Sequence, residues 1–174
     1  MKNLFLIGLA VLLLTACQEN KPERFTTNSP EIESVKDLLK DYQNGNWEAW
    51  VKHYADTAKI HHNNWKTGAS PKETVEALKG ILANVSTYKF NQNEGEIFYE
   101  MVIDDNDLTW VNFWGVWQGT VAGNGVNLDI PVHITSNFVD GKIVREYGYY
   151  DLSEFIRNLN EIEASKNEEV VEQE

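Results

Sequence analysis

The sequence predicts an α+β domain in which helices pack on one face of a strongly curved antiparallel sheet. Three observations lead there. The first half of the chain carries apolar residues at helical spacing, broken by one short β-like stretch. From about residue 86 the period drops to that of strands, over segments longer than an average strand. Three turn signals then divide that region: Asp104-Asp105-Asn106-Asp107, Asn124-Gly125 and Asp140-Gly141.

In chain order, residues 31–44 place Ile32, Val35, Leu38, Leu39 and Tyr42 on one helical stripe, opened by Ser29-Pro30 and closed by Gly45. A short second helix is expected from Trp47 to Tyr54, with Trp47, Trp50, Val51 and Tyr54 on one face. Residues 58–63 read as a short strand. Ser70, Pro71 and Glu73 form a capping-box pattern that starts a third helix, whose buried face should carry Val75, Leu78, Ile81 and Leu82. Strands follow near 96–103, 108–122, 127–139 and 142–150, because Asn-Gly and Asp-Gly tolerate the positive φ that tight hairpins demand. A last helix begins near Ser153 and carries Phe155, Ile156 and Leu159. The absence of a repeated strand–helix alternation disfavours a Rossmann domain. The glycines of residues 119–125 fall in a hairpin, which disfavours a phosphate loop.

The first residues speak to compartment. Met1-Lys2-Asn3, an apolar run from Leu4 to Leu14 and a small residue before Cys17 have the form of an export signal. The run is too short to span a bilayer, which takes about 20 residues. Leu14-Thr15-Ala16-Cys17 resembles the bacterial lipobox, which implies cleavage before Cys17 and lipid on its thiol. The chain is then expected in the cell envelope, held on a membrane by that lipid. Gln18 stands where inner-membrane lipoproteins often carry Asp, which favours the outer membrane. Cys17 is the single cysteine, so the folded part has no disulfide to stabilise it. The expected organisation is a signal peptide over 1–16, a lipidated cysteine and polar tether over 17–30, one domain over 31–160 and an acidic tail over 161–174.

Charge narrows the partners. Fifteen basic residues face 27 acidic ones, a net charge of −12, which disfavours nucleic acid and anionic headgroups. Six Trp, seven Tyr and seven Phe in so small a domain imply a thick aromatic core or an aromatic-lined cavity.

The segment NGNWEAWVKHYADTAKIHH, in which a short helix runs into a first strand, resembles the nuclear transport factor 2-like superfamily and its SnoaL-like group. So does WGVWQGTVAGNGVNLDIPVHITSNFVDGKIVREYGYYDLSEF, with a DGKI turn before an aromatic strand ending Tyr-Tyr-Asp. The resemblance covers roughly residues 31–160. It implies a cone-shaped α+β barrel, a curved sheet wrapped around the N-terminal helices to leave a deep apolar pocket, and a homodimer, commonly through the outer sheet face. Members include isomerases, dehydratases and hydrolases as well as binding and interaction modules, so fold alone assigns no activity.

In such a pocket a desolvated carboxylate acts as general acid or base near neutral pH. Asp151, at the end of the last strand, is the first candidate; the competing reading is a helix cap, with Glu154 three residues on. His61 and His62 are adjacent on a strand, so at most one faces the pocket; His61 and, on a later strand, His133 are carried as catalytic candidates beside plain structural roles. Tyr54, Trp65, Trp110, Trp114, Tyr147 and Tyr149 are the candidate ligand-binding aromatics. No metal-ligand spacing or cofactor motif stands out, and no Ser-His-Asp signature points to acyl-enzyme chemistry. Three functions follow as expectations. They are binding of a small apolar ligand, a SnoaL-like isomerase, dehydratase or hydrolase with Asp151 as base, or an envelope protein-interaction module.

Overall fold

The computed structural model describes residues 24–91, 93, 95 and 97–171, with side chains through residue 168. The expected signal peptide, Cys17 and most of the expected tether lie outside the described residues. Helix α1 (Pro30–Gln43) starts where Ser29 accepts the Ile32 N–H at 3.2 Å, and it buries Ile32, Val35, Leu38 and Leu39. A short α2 (Trp47–Lys52) buries Trp50. Helix α3 (Pro71–Leu82) opens with the full reciprocal capping box of Ser70 and Glu73. Helix α4 (Ser153–Val171) buries Phe155 and Asn158, leaves Ile156 exposed and continues into the acidic tail.

The sheet contains β1 (Phe25–Thr26), β2 (Tyr54–His62), β3 (Val85–Phe90), β4 (Phe98–Ile103), β5 (Thr109–Val121), β6 (Asn127–Val139) and β7 (Lys142–Tyr150). Its order is β1-β4-β5-β6-β7-β2, with β3 paired to the far part of β5. The thirteen-residue β5 therefore has β4 beside Thr109–Trp114 and β3 beside Trp117–Val121. The hairpin turns have the backbone their residues favour: Asp140 and Gly141 both take positive φ, at 50° and 72°.

Three features depart from expectation. Tyr54 opens β2 instead of closing α2, and its ring packs on Trp50 at 4.6 Å. Strand β2 runs parallel to β7 while every other pairing is antiparallel, because β2 precedes the meander and meets its last strand only after the whole sheet has turned. Strand β1, inside the expected tether, is the other addition: Phe25 and Thr26 pair with Val102 and Met101. The α+β class holds, with the curved sheet left unclosed and the N-terminal helices on its concave side.

Alternation sorts the long strands. On β5, Val111, Phe113, Trp117 and Val121 face the helices; on β6, Leu128, Ile130, Val132, Ile134, Ser136 and Phe138 do the same. Together with α1 they form the core.

Candidate functional site

A bulge in β7 builds the site. From the Asp140-Gly141 turn, Val139 pairs with Lys142 and Phe138 with Ile143, but Asn137 pairs with Arg145. Val144 is the extra residue, and beyond it Ser136 opposes Glu146. Uninterrupted pairing would have set Arg145 against Ser136 and Tyr147 against Ile134. The bulge instead turns Glu146, Gly148 and Tyr150 to the helix side and Arg145, Tyr147 and Tyr149 outward.

Glu146 is thereby buried, at 1% exposure. A carboxylate there needs donors to offset lost hydration. Tyr54 Oη donates to Oε2 at 2.9 Å and Ser136 Oγ to the same oxygen at 3.0 Å, while His62 Nε2 donates to Oε1 at 2.9 Å. With a carboxylate as partner, the proton of the neutral His62 ring sits on Nε2, which leaves the Nδ1 lone pair free. Nδ1 has no hydrogen-bond partner among the described residues, and no fully buried side-chain nitrogen or oxygen there lacks one; Nδ1 is therefore accessible. Gly148 pairs with His62 across the strands and gives its ring room. Asn63, at φ 50°, continues the alignment by accepting from the Tyr150 N–H and donating to its carbonyl.

His62 and Glu146 form part of the wall of a cavity of about 90 Å³. The rest is apolar: Leu38, Leu39 and Tyr42 from α1, Trp50 from α2, Leu78 and Ile81 from α3, Phe90, Trp117 and Ile130 from the sheet, and Phe155 from α4. Burial, reinforced by the charge of Glu146, pushes the Tyr150 phenol up to about 12. The same causes hold Tyr54 well above the ordinary tyrosine value. Both phenols keep their protons at neutral pH; Tyr54 donates to Glu146, and the Tyr150 hydroxyl has a proton to donate. The arrangement is a base, an orienting carboxylate and a phenol donor at one apolar wall, the parts needed to move a proton on a bound molecule.

The structure places the sequence candidates differently. Asp151 is exposed, accepts the Ser153 N–H at 2.8 Å and lies away from the cavity wall; hydrogen bonds from the Ser153 side chain and backbone hold its carboxyl below the usual range. It ties the end of β7 to the start of α4 and does not line the cavity. His61 is on the outer face, stacked on Tyr147 at 4.9 Å and donating from Nδ1 to the Asn64 carbonyl. His133 is on the outer face too, stacked between Trp114 at 4.6 Å and Tyr149 at 6.1 Å. Trp110 donates to Asp104 at 3.0 Å, and Trp65 stacks on Tyr147 while remaining 74% exposed. Of the proposed ligand-binding aromatics, Tyr54 alone lines the cavity; Trp65, Trp110, Trp114, Tyr147 and Tyr149 do not. Both faces of β5 and β7 carry aromatic rings, so composition does not say which set looks inward.

Glu146 went unnoticed in the sequence because a charged residue amid KIVREYGYY reads as solvent-facing. The available signal was Ser136, a small polar residue interrupting an otherwise apolar strand face. Among the described residues no group of three or more His, Cys, Asp or Glu side chains could hold a metal ion, and no helix is long and apolar enough to cross a membrane.

No family model and no curated protein matches the sequence. Solved structures do match. A candidate polyketide cyclase from Xanthomonas campestris pv. campestris superposes with a TM-score of 0.59 at 16% identity, over 76% of this chain and 98% of that one. A nuclear transport factor 2-like protein of unknown function from Burkholderia pseudomallei gives 0.57 at 13%, over 75% and 97%. A candidate SnoaL-like polyketide cyclase from Shewanella putrefaciens gives 0.57 at 10%, over 76% and 87%. At these identities the likeness speaks to fold, and the chain has the nuclear transport factor 2-like fold.

Proposed function

We propose that this domain is a proton-transfer enzyme of the SnoaL-like kind, working on a small ligand held in the apolar cavity. His62 Nδ1 is the base and Tyr150 the hydrogen-bond donor that stabilises the charge developing on the substrate. One observation carries this reading: the His62–Glu146 pair at 2.9 Å, in which a carboxylate at 1% exposure fixes the imidazole tautomer at a cavity wall. Glu146 is positioned to stabilise the imidazolium formed when Nδ1 takes a proton. A purely ligand-binding domain has no need of that pair, since a buried ionic group is weak as a stabilising device. The dyad therefore favours chemistry over binding alone.

A small carbon acid is the substrate class that suits the site. The test is exchange of protons α to a carbonyl for solvent deuterium, followed by NMR on a panel of small ketones and aldehydes, neutral and ammonium-bearing. Enzyme-dependent exchange that is lost in both His62→Gln and Glu146→Gln supports the reading. No exchange above buffer across the panel, or exchange unaffected by His62→Gln, overturns it.

The chain carrying this domain is proposed to be an envelope lipoprotein, on the strength of Leu14-Thr15-Ala16-Cys17. Labelled fatty acid incorporated by the native chain and lost in Cys17→Ser tests the anchor. A homodimer through the outer face is proposed as well. Phe98, Trp114, His133 and Tyr149 are consecutive cross-strand partners there, and their rings form one row. Phe98, Trp114 and Tyr149 are 48%, 37% and 45% exposed, more apolar surface than isolated surface residues leave. Sedimentation of the native chain against Trp114→Lys tests it: a dimer reduced to a monomer supports it, a monomer in both removes it.

A further inference from the structure

The cavity has two electrostatic features that an uncharged apolar ligand leaves unused. The first is the sign of its wall. Glu146 is hydrogen-bonded by Tyr54, Ser136 and His62, and among the described residues no Lys or Arg is hydrogen-bonded to it. Among the described residues no Lys or Arg lines the cavity. A buried carboxylate with no Lys or Arg beside it leaves a negative potential in the adjoining space, and low-dielectric surroundings lengthen its reach.

The second feature is the ring content. Tyr42, Trp50, Tyr54, Phe90, Trp117 and Tyr150 all line the same small space. Their rings are held in place by mutual contacts: Trp50 with Tyr54 at 4.6 Å, Tyr42 with Phe90 at 5.8 Å, and Trp117 Nε1 donating to Tyr42 Oη at 3.0 Å. Aromatic faces carry negative potential and attract organic cations, most of all when those cations are desolvated. A strongly hydrated ammonium would lose too much water on entering, whereas a methylated ammonium spreads its charge and presents apolar methyl groups to the wall. Size points the same way. An engineered cavity of about 150 Å³ accepts benzene, so about 90 Å³ accommodates a compact head of on the order of four heavy atoms.

We infer that the cavity takes the methylated ammonium head of a small organic cation, with Glu146 as the buried counter-charge and the aromatic rings as its cage. This rests on the cavity being the ligand site, as proposed above, and names the class of ligand it selects. A positive charge beside the reacting carbon would also acidify the C–H that His62 addresses.

The test uses two probes of nearly the same shape, choline and its uncharged carbon analogue 3,3-dimethyl-1-butanol, titrated calorimetrically into the full-length chain in detergent. Choline should bind about tenfold or more tightly than the alcohol, the margin expected of a desolvated cation over aromatic faces. Glu146→Gln should remove most of that margin while leaving the alcohol unchanged. The comparison on the native chain stands by itself should the variant fold poorly. Equal binding of the two probes, or tighter binding of the alcohol, overturns the cation assignment and leaves the cavity as a ligand site. Binding of neither overturns the assignment and also removes support from the cavity as the ligand site.

Discussion

Gly148 lies directly across from His62, and a Cβ added to it would stand 2.6 Å from His62 Cδ2 and 3.1 Å from Nε2. The glycine is there because the imidazole occupies the space a side chain would take. Its backbone conformation makes no special demand; the close approach alone excludes other residues.

Gly148→Ala should therefore push the His62 ring away from Glu146. The cost to stability is that of overpacking, about 1–3 kcal/mol, read by urea denaturation. Proton exchange on the ketone panel should fall further than stability alone explains, because the tautomer-fixing bond at 2.9 Å is the one disturbed. Unaltered exchange would argue against His62 as the base.

Tyr54→Phe should cost about 1–3 kcal/mol, since it leaves a buried carboxylate one donor short. Paired with Glu146→Gln in a double-mutant cycle, the two changes should not add, because both act on one hydrogen bond. Additive effects would mean that Tyr54 stabilises the core by packing alone.

Asp151→Asn should leave turnover within about twofold, the scale of ordinary surface substitutions. Asn accepts the Ser153 N–H as Asp does, so the start of α4 is kept. A collapse of activity with an unchanged melting temperature would restore Asp151 as the base.

Acid should weaken the turn between β4 and β5. Asp104 Oδ1 accepts the N–H groups of Leu108 and Asn106, and Oδ2 accepts from Trp110 Nε1. These bonds, that from Leu108 foremost, hold its carboxyl below the ordinary 3.8. The contribution to stability is complete above that ordinary value, which the unfolded chain has, and is lost as pH falls through the lower, folded one. The melting temperature of the native chain should drop more steeply below pH 4 than that of Asp104→Asn.

Much of the fold was legible in the residues themselves. Ser29-Pro30 and Ser70-Pro71 mark two helix starts because a side-chain acceptor and a fixed φ act locally, whatever the rest of the chain does. Asp140-Gly141 marks a hairpin for the same kind of reason, and strands 127–139 and 142–150 are found where its flanking pattern predicts. The separation of Phe113 and Trp117 from Trp110 and Trp114 also follows from alternation alone. What alternation leaves open is which set meets the helices.

That choice belonged to the tertiary structure. By itself the sequence determined the helices, the turns and the α+β order, all set by interactions between near neighbours. The site came from contacts 10 to 92 residues apart: Ser136 with Glu146, His62 with Glu146 and Tyr54 with Glu146. Whether they could form depended on Val144. One extra residue in β7 reverses every side chain after it, which carries Glu146 and Tyr150 to the cavity and Tyr147 and Tyr149 to the outer face.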